Sequence, residues 1–341
     1  MPQYDPAVPS EHLALAERLS KATALAWEGR GREADALLGE VDPASLSPED
    51  LISWTLPRAA NQFWMLSEPE RATAFLANIR NRVLDEPSRL TIDALSAMFA
   101  MNSGALDRSM ALADEVLSSP VATAQAVGWA ASAASLCAAR MGRVADVDSL
   151  AHRAVDADHP GLLRFTVGFA RITAALHADR MADAQRIADE LGDGGTEPGR
   201  AIGALLRARV RLHAGDAANA ADLVAAPAAV LERTGYSWGP LALMTSAHAL
   251  GAANDPVAAA KALARAEARH GLKSQLFAPE LGMARAQVTS ALGDRDAAIA
   301  AIRDAARTAE RTGQRAVAVQ AWRQAERLGD ARAGAEIQRL R

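Results

Sequence analysis

Nine short turns punctuate this chain of 341 residues, and their spacing limits it to one kind of architecture. They are Gly29-Arg30, Ser67-Glu68, Gly104-Ala105, Gly142-Arg143, Asp179-Arg180, Gly215-Asp216, Asn254-Asp255, Gly293-Asp294 and Gly329-Asp330. Their first residues are 38, 37, 38, 37, 36, 39, 39 and 36 apart. Every turn opens with Gly, Ser, Asp or Asn. Gly, Asn and Asp tolerate the left-handed backbone that ends one helix. Asp, Asn and Ser cap the free amides that start the next. A repeat of this length with a helix break at its centre is a helix pair that buries its apolar face only by stacking on its neighbours.

A second regularity is independent of the turns. Five residues after each turn start come Ala34, Ala72, Ser109, Val147, Ala184, Ala220, Ala259, Ala298 and Gly334. Seven residues before it come Ala22, Ala60, Ala97, Ser135, Ile172, Ala208, Ala247, Ala286 and Trp322. Small residues at both places let two antiparallel helices meet at close range. Composition agrees. Half the chain is hydrophobic but only 4% is aromatic, with alanine, the best helix former, making most of the difference. No strand-like alternation stands out.

The small residue before the turn, the Gly-Asp-like turn and the Ala five residues on resemble the tetratricopeptide repeat. The period here exceeds that family's by a few residues, which implies longer links between pairs. The resemblance implies an all-α, right-handed solenoid of about eight to nine tetratricopeptide-like helix pairs. Expected helices are 11–28, 31–39, 48–66, 69–85, 88–102, 105–117, 121–141, 143–156, 160–178, 180–191, 198–214, 217–233, 239–252, 255–269, 277–292, 294–312, 315–328 and 330–340. Pro43, Pro87, Pro120, Pro160, Pro198 and Pro240 fall between or just before pairs, where helix breakers belong. Residues 1–10 are expected as a flexible lead-in and 11–341 as one repeat domain. The most loop-like links are Gly192–Pro198 and Gly235–Pro240.

Charge and cysteine exclude several classes. Net charge is −4, which argues against nucleic-acid binding by bulk charge. The basic residues are 34 Arg and three Lys (Lys21, Lys261, Lys273), a bias that fits a GC-rich genome. Cys137 is alone, so no intrachain disulfide forms, and its apolar setting reads as packing. No secretory signal opens the chain. The longest uncharged run, Val121 to Ala139, is mostly small and weakly polar, so a cytoplasmic protein with no membrane association is expected.

No phosphate-binding loop, nucleophile elbow or His-Glu-x-x-His pair occurs, so neither an enzyme, a cofactor nor a metal is expected. The histidines are His12, His152, His159, His177, His213, His248 and His270. His177 and His213 stand two residues before their turns and read as solvated neighbours rather than metal ligands. What a solenoid offers is a groove lined by the first helix of each pair. Six residues before the turns come Thr23, Asn61, Met98, Leu136, Thr173, Arg209, His248, Gln287 and Arg323, a column polar from Thr173 onward. Thirteen before come Ala16, Trp54, Thr91, Trp129, Thr166, Ile202, Leu241, Glu280 and Ala316. The candidate ligand-binding residues are Trp129, Thr166, Thr173, Arg209, Trp238, Thr245, His248, Glu280, Gln287 and Arg323. Tryptophan among hydrogen-bonding groups suits a sugar, although a Trp in a helical repeat also serves as core. Trp27, Trp64 and Trp322 are assigned to packing. Arg171, Arg207 and Arg285, eight before their turns, read as a ladder paired with acids such as Asp183, Asp189 and Asp222; the other reading is an anion site.

The segment Asp304 to Asp330 resembles the end of the repeat region in large LuxR-type, ATP-dependent transcription regulators of actinobacteria, relatives of the maltose-regulon activator. It is tight over 293–330 and loose elsewhere. This chain carries neither that family's ATPase motifs nor its helix-turn-helix, so the resemblance implies the sensor region alone, with those domains elsewhere in a full-length protein. It implies a small inducer, a sugar such as trehalose or a malto-oligosaccharide, and no direct nucleic-acid contact by this segment. The alternative is a protein–protein interaction scaffold.

Overall fold

The computed structural model describes residues 8–157, 161–192 and 195–340. The secondary structure of the described residues is helical, and its helices form nine pairs. The first three are α1 (Val8–Trp27) with α2 (Gly31–Gly39), α3 (Pro48–Ala60) with α4 (Pro69–Arg82), and α5 (Glu86–Asn102) with α6 (Leu106–Ser118). Then come α7 (Ala124–Met141) with α8 (Val144–Asp156), α9 (Leu163–His177) with α10 (Met181–Gly192), and α11 (Gly199–His213) with α12 (Ala217–Leu231). The last three are α13 (Trp238–Ala252) with α14 (Pro256–Arg269), α15 (Ala278–Ala291) with α16 (Arg295–Arg311), and α17 (Arg315–Arg327) with α18 (Ala333–Leu340). This is a tetratricopeptide-like solenoid, as the turn spacing requires.

The turns explain the pairs. All nine turn-opening residues have positive φ, and Ser67, Asp179 and Asn254 are the only described non-glycine residues that do. The next amide reaches back to close the preceding helix, as in Arg143 N–H to the Ala138 carbonyl at 2.8 Å and Asp255 N–H to the Leu250 carbonyl at 2.9 Å. Asp255 and Asp294 then cap the following helix through the amides of Ala258 and Ala297, both at 3.0 Å. Asp216 and Asp330 do not cap in this way. Asp216 accepts from Asn219, and Asp330 binds Arg303 and accepts from the Arg332 amide, two residues on, at 3.0 Å. The small-residue columns face each other inside each pair. Ser109 donates to the Ala97 carbonyl at 2.9 Å and Ser135 to that of Val147 at 3.5 Å. All but Ala60 and Gly334 in the two columns are buried.

The structure departs from the expected helices in four places, one of them where α12 ends at Leu231 and a 3-10 helix, Glu232–Thr234, takes over. The helix expected over 48–66 turns into a π-helix at Asn61–Met65. A short 3-10 helix, Leu272–Phe277, precedes α15 where a loop was expected. The first helix begins before the expected position 11, at Val8; the residues expected as a lead-in lie outside the described residues up to position 7, as do positions 158–160, which include His159 and Pro160, positions 193–194 of the expected linker, and position 341.

The uncharged run is the centre of the molecule and not a membrane span. Every residue of α7 from Ala130 to Arg140 is buried, as a helix apolar on all sides must be. Among the described residues no helix is long and apolar enough to cross a membrane. Around α7 the solenoid curls until distant pairs touch. Helix α17 packs on α7 and α9, and the 3-10 helix packs on α5. Lys273, in that 3-10 helix, donates to the carbonyls of Trp64 at 2.6 Å and Gly235 at 2.5 Å, tying the second pair to the link before the seventh.

Candidate functional site

The curl closes the concave groove into a cavity. Its walls are the first helices of the last five pairs, α9, α11, α13, α15 and α17, with Arg140 from α7. The sequence places these side chains by offset. Residues two and six before each turn lie four apart on one helix face, and that face points inward. The inner column two before the turn contains Trp27, Met65, Asn102, Arg140, His177, His213 and Arg327, and each lines one of the concave cavities.

Six of the ten candidate residues meet in this cavity: Thr173, Arg209, Thr245, His248, Glu280 and Arg323. Thr166 and Trp238 line a neighbouring apolar compartment. Gln287 lies behind the wall, accepting from Gln324 at 3.3 Å. Trp129 does not join them; it packs partly buried against the core, as does the fully buried Trp54, whose indole donates to the Leu38 carbonyl at 2.9 Å. Trp64 and Trp322 also pack. Trp27 is more open and lies 5.3 Å from the Tyr236 ring.

The cavity, about 70 Å³ in volume, is strongly cationic. Four arginines line it (Arg140, Arg209, Arg323 and Arg327) against one carboxylate, Glu280. That carboxylate is already engaged. Arg140 donates to both its oxygens, at 2.8 and 2.9 Å, and Arg209 approaches to 3.6 Å. Arg140 also donates to the Leu276 carbonyl at 2.8 Å and to the Gln314 side chain at 2.6 Å, so its fork is filled from two distant pairs. Burial alone pushes the Glu280 carboxyl up, but the charge and hydrogen bonds of Arg140, with Arg209, outweigh it and hold it below the usual range. Arg209 lies over the Phe169 ring at 5.2 Å, with its pKa lowered by burial despite Glu280. Arg323 reaches Asp179 at 2.9 Å on the rim.

His177 and His213, expected as solvated neighbours, are half-buried: the column two before the turn faces inward, and both join His248 in the cavity wall. Burial and the nearby charges of Arg323 and Arg327 lower His213. Burial, Arg327 and Arg209 push His248 down to about 3. Among the described residues no group of three or more His, Cys, Asp or Glu could hold a metal.

Two of the three arginines expected as a ladder pair with acids, though not with those expected. Arg171 pairs with Asp148 at 3.7 Å and Arg285 with Glu267 at 2.6 Å. Arg207 instead lies against Gly192, with its Nε buried and unpartnered. Cys137 is fully buried, and burial pushes its thiol up to about 12.

This architecture is similar to that of a Rap protein solved in complex with competence and sporulation factor, with a TM-score of 0.56 and 12% identity over 96% of this chain and 99% of that one. Looser likeness extends to the apo form of RapI, with a TM-score of 0.47 and 11% identity over 96% of this chain and 99% of that one. It extends also to a tetratricopeptide repeat protein from Parabacteroides merdae, with a TM-score of 0.43 and 10% identity over 85% of this chain and 98% of that one. No protein-family model matches the chain, and no curated protein matches it in sequence. The chain is thus a tetratricopeptide-like helical-repeat protein with a cationic concave site.

Proposed function

We propose that this chain is a ligand-sensing helical-repeat domain whose central cavity takes a small molecule carrying an anionic group. The observation that carries this reading is the charge imbalance of four arginines against two carboxylates, Glu280, engaged by Arg140 and Arg209, and Asp179, which meets Arg323 on the rim. Arginine forks are suited to carboxylate and phosphate oxygens. Two histidines, His213 and His248, whose pKa is lowered first by burial, add donors that an anion would favour in the charged form. A binding role is proposed rather than catalysis, since no side chain here is paired as a nucleophile with a base.

The expected neutral sugar is less favoured by this lining. Trp129 packs against the core away from the cavity, and the ring facing the cavity is Phe169, already covered by Arg209. The similarity to a Rap protein complexed with competence and sporulation factor supports a sensing role for the architecture. In a LuxR-type regulator, as the C-terminal resemblance implies, occupancy would be passed to domains elsewhere in the polypeptide.

Calorimetry and thermal-shift measurements on the chain test the reading. Small carboxylates and phosphate should bind and stabilise, more weakly at high salt. Trehalose and maltose should not. Arg209→Gln and Arg323→Gln should each weaken anion binding by about tenfold or more. Binding of neutral sugars without any binding of anions would return the site to the sugar reading.

A further inference from the structure

Beside the cationic cavity lies a second concave compartment of about 100 Å³, and its chemistry is opposite. Met98, Leu136, Leu163 and Leu276 dominate its lining, with Trp238 at one side. The two spaces share helices. On α9 Thr166 lines one and Thr173 the other; on α13 the corresponding residues are Trp238 and Thr245. Seven residues of helix separate each pair, about 10 Å along the axis. Between the spaces stands a layer of rings. Phe169 lies 5.9 Å from Trp238 and 6.3 Å from Phe277, and Arg140 lies over Phe277 at 5.5 Å.

A ligand that used both spaces would need an anionic head and an apolar part about 10 Å away. Rings at these separations are packed against one another, so a ligand that spans the two spaces has to turn Phe169 aside, and a slender chain requires the smallest such movement. The apolar compartment offers few polar partners, so a peptide would bring backbone groups into it at a cost that a hydrocarbon does not incur. Methionine and leucine side chains adapt to a flexible chain. We infer that the ligand is a carboxylic acid with an unbranched aliphatic tail, its head held by Arg209 and Arg323 and its tail passing Phe169 into the apolar compartment. This rests on the proposed anion site and adds the identity of its second half.

The test titrates the full chain with octanoate, acetate and octanol by calorimetry, with tryptophan emission as a second readout because Trp64 and Trp238 line the compartment. Burying even a few methylenes is worth more than tenfold in affinity. Octanoate should bind at least tenfold tighter than either acetate or octanol and change the emission. Thr166→Phe, which fills the compartment, should remove the octanoate advantage while leaving acetate binding unchanged. Leu276→Phe serves the same purpose should Thr166→Phe fail to fold. Acetate binding as tightly as octanoate would overturn the tail while leaving the anion site standing. Octanol matching octanoate, or a filled compartment that binds octanoate like the wild type, would also overturn it. A folded chain that binds neither acid removes the anion site itself.

Discussion

Arg140 closes the longest uncharged run of the chain and is 1% exposed, a placement that only a filled hydrogen-bonding fork makes tolerable. Its partner Glu280 is equally buried and 140 residues away. Removing one member of such a pair leaves an uncompensated buried charge, so Glu280→Gln should cost about 3–5 kcal/mol in urea denaturation. Arg140→Met together with Glu280→Met should cost clearly less than the sum of the two single changes. An additive result would mean that the two groups do not depend on each other. Lys273 makes a pH-dependent prediction at the same scale. Burial, with Arg269 nearby, lowers its ammonium to about 8 from 10.5. Between those values the unfolded chain binds the extra proton and the folded chain does not, so stability rises with pH across that window. The cost of the buried charge is fully present below pH 8. Lys273→Met should lack this rise; parallel curves for the two proteins from pH 8 to 10 would assign the lysine no such role. Neither Arg140 nor Lys273 was legible in the sequence as a contact, because each meets its partners only after the chain has curled. Arg140 did leave a signal: it shares its offset from the turn with His177, His213 and Arg327.

At the scale of the element, the turns were legible because the left-handed backbone restricts residue type. The requirement is strong enough that Ser67, Asp179 and Asn254 stand in it among glycines. A Cβ at Gly293 would meet nothing within 4 Å, so Gly293→Ala isolates the conformational cost of φ +91°, about 1–2 kcal/mol. Gly203 is the reverse case. It sits in ordinary helix, but a Cβ there would lie 2.6 Å from the Leu191 carbonyl oxygen at the end of α10. That backbone cannot swing aside, so Gly203→Ala should cost about 1–3 kcal/mol through overpacking. Thermal or urea unfolding of the two variants checks both values, and a neutral Gly203→Ala would show that α10 and α11 can separate without loss. Gly203 carried no signal in the sequence, because its partner is set by how one pair leans on the next. The π-helix at Asn61–Met65 was equally hidden within a continuous helical pattern.

The whole molecule raises the question of how far a linear repeat behaves as a ring. In an open solenoid each pair depends on its neighbours alone, and trimming the last pair leaves distant pairs untouched. Here α17 packs on α7 and α9, and Gln314 at its start completes the fork of Arg140. The column six before the turns could therefore be read as lining a groove, since offset alone decides which face points inward. That the groove closes could not be read, because closure depends on small rotations summed over several pairs. Deleting residues 315–341 separates the two descriptions. An open array predicts that α7, five pairs from the cut end when both terminal pairs are counted, keeps its amide protection. The ring predicts that the stretch Ala130–Arg140 exchanges at least tenfold faster, an opening cheaper by about 1.4 kcal/mol. The expected outcome is the second, measured by hydrogen exchange under native conditions, with α3 and α4 as the internal reference because α17 does not reach them. Unchanged exchange in α7 would mean that the contacts across the cavity only touch. The same result would deprive the cationic site of its fifth wall without disturbing the fold, so anion binding by the shortened chain should be lost in either case.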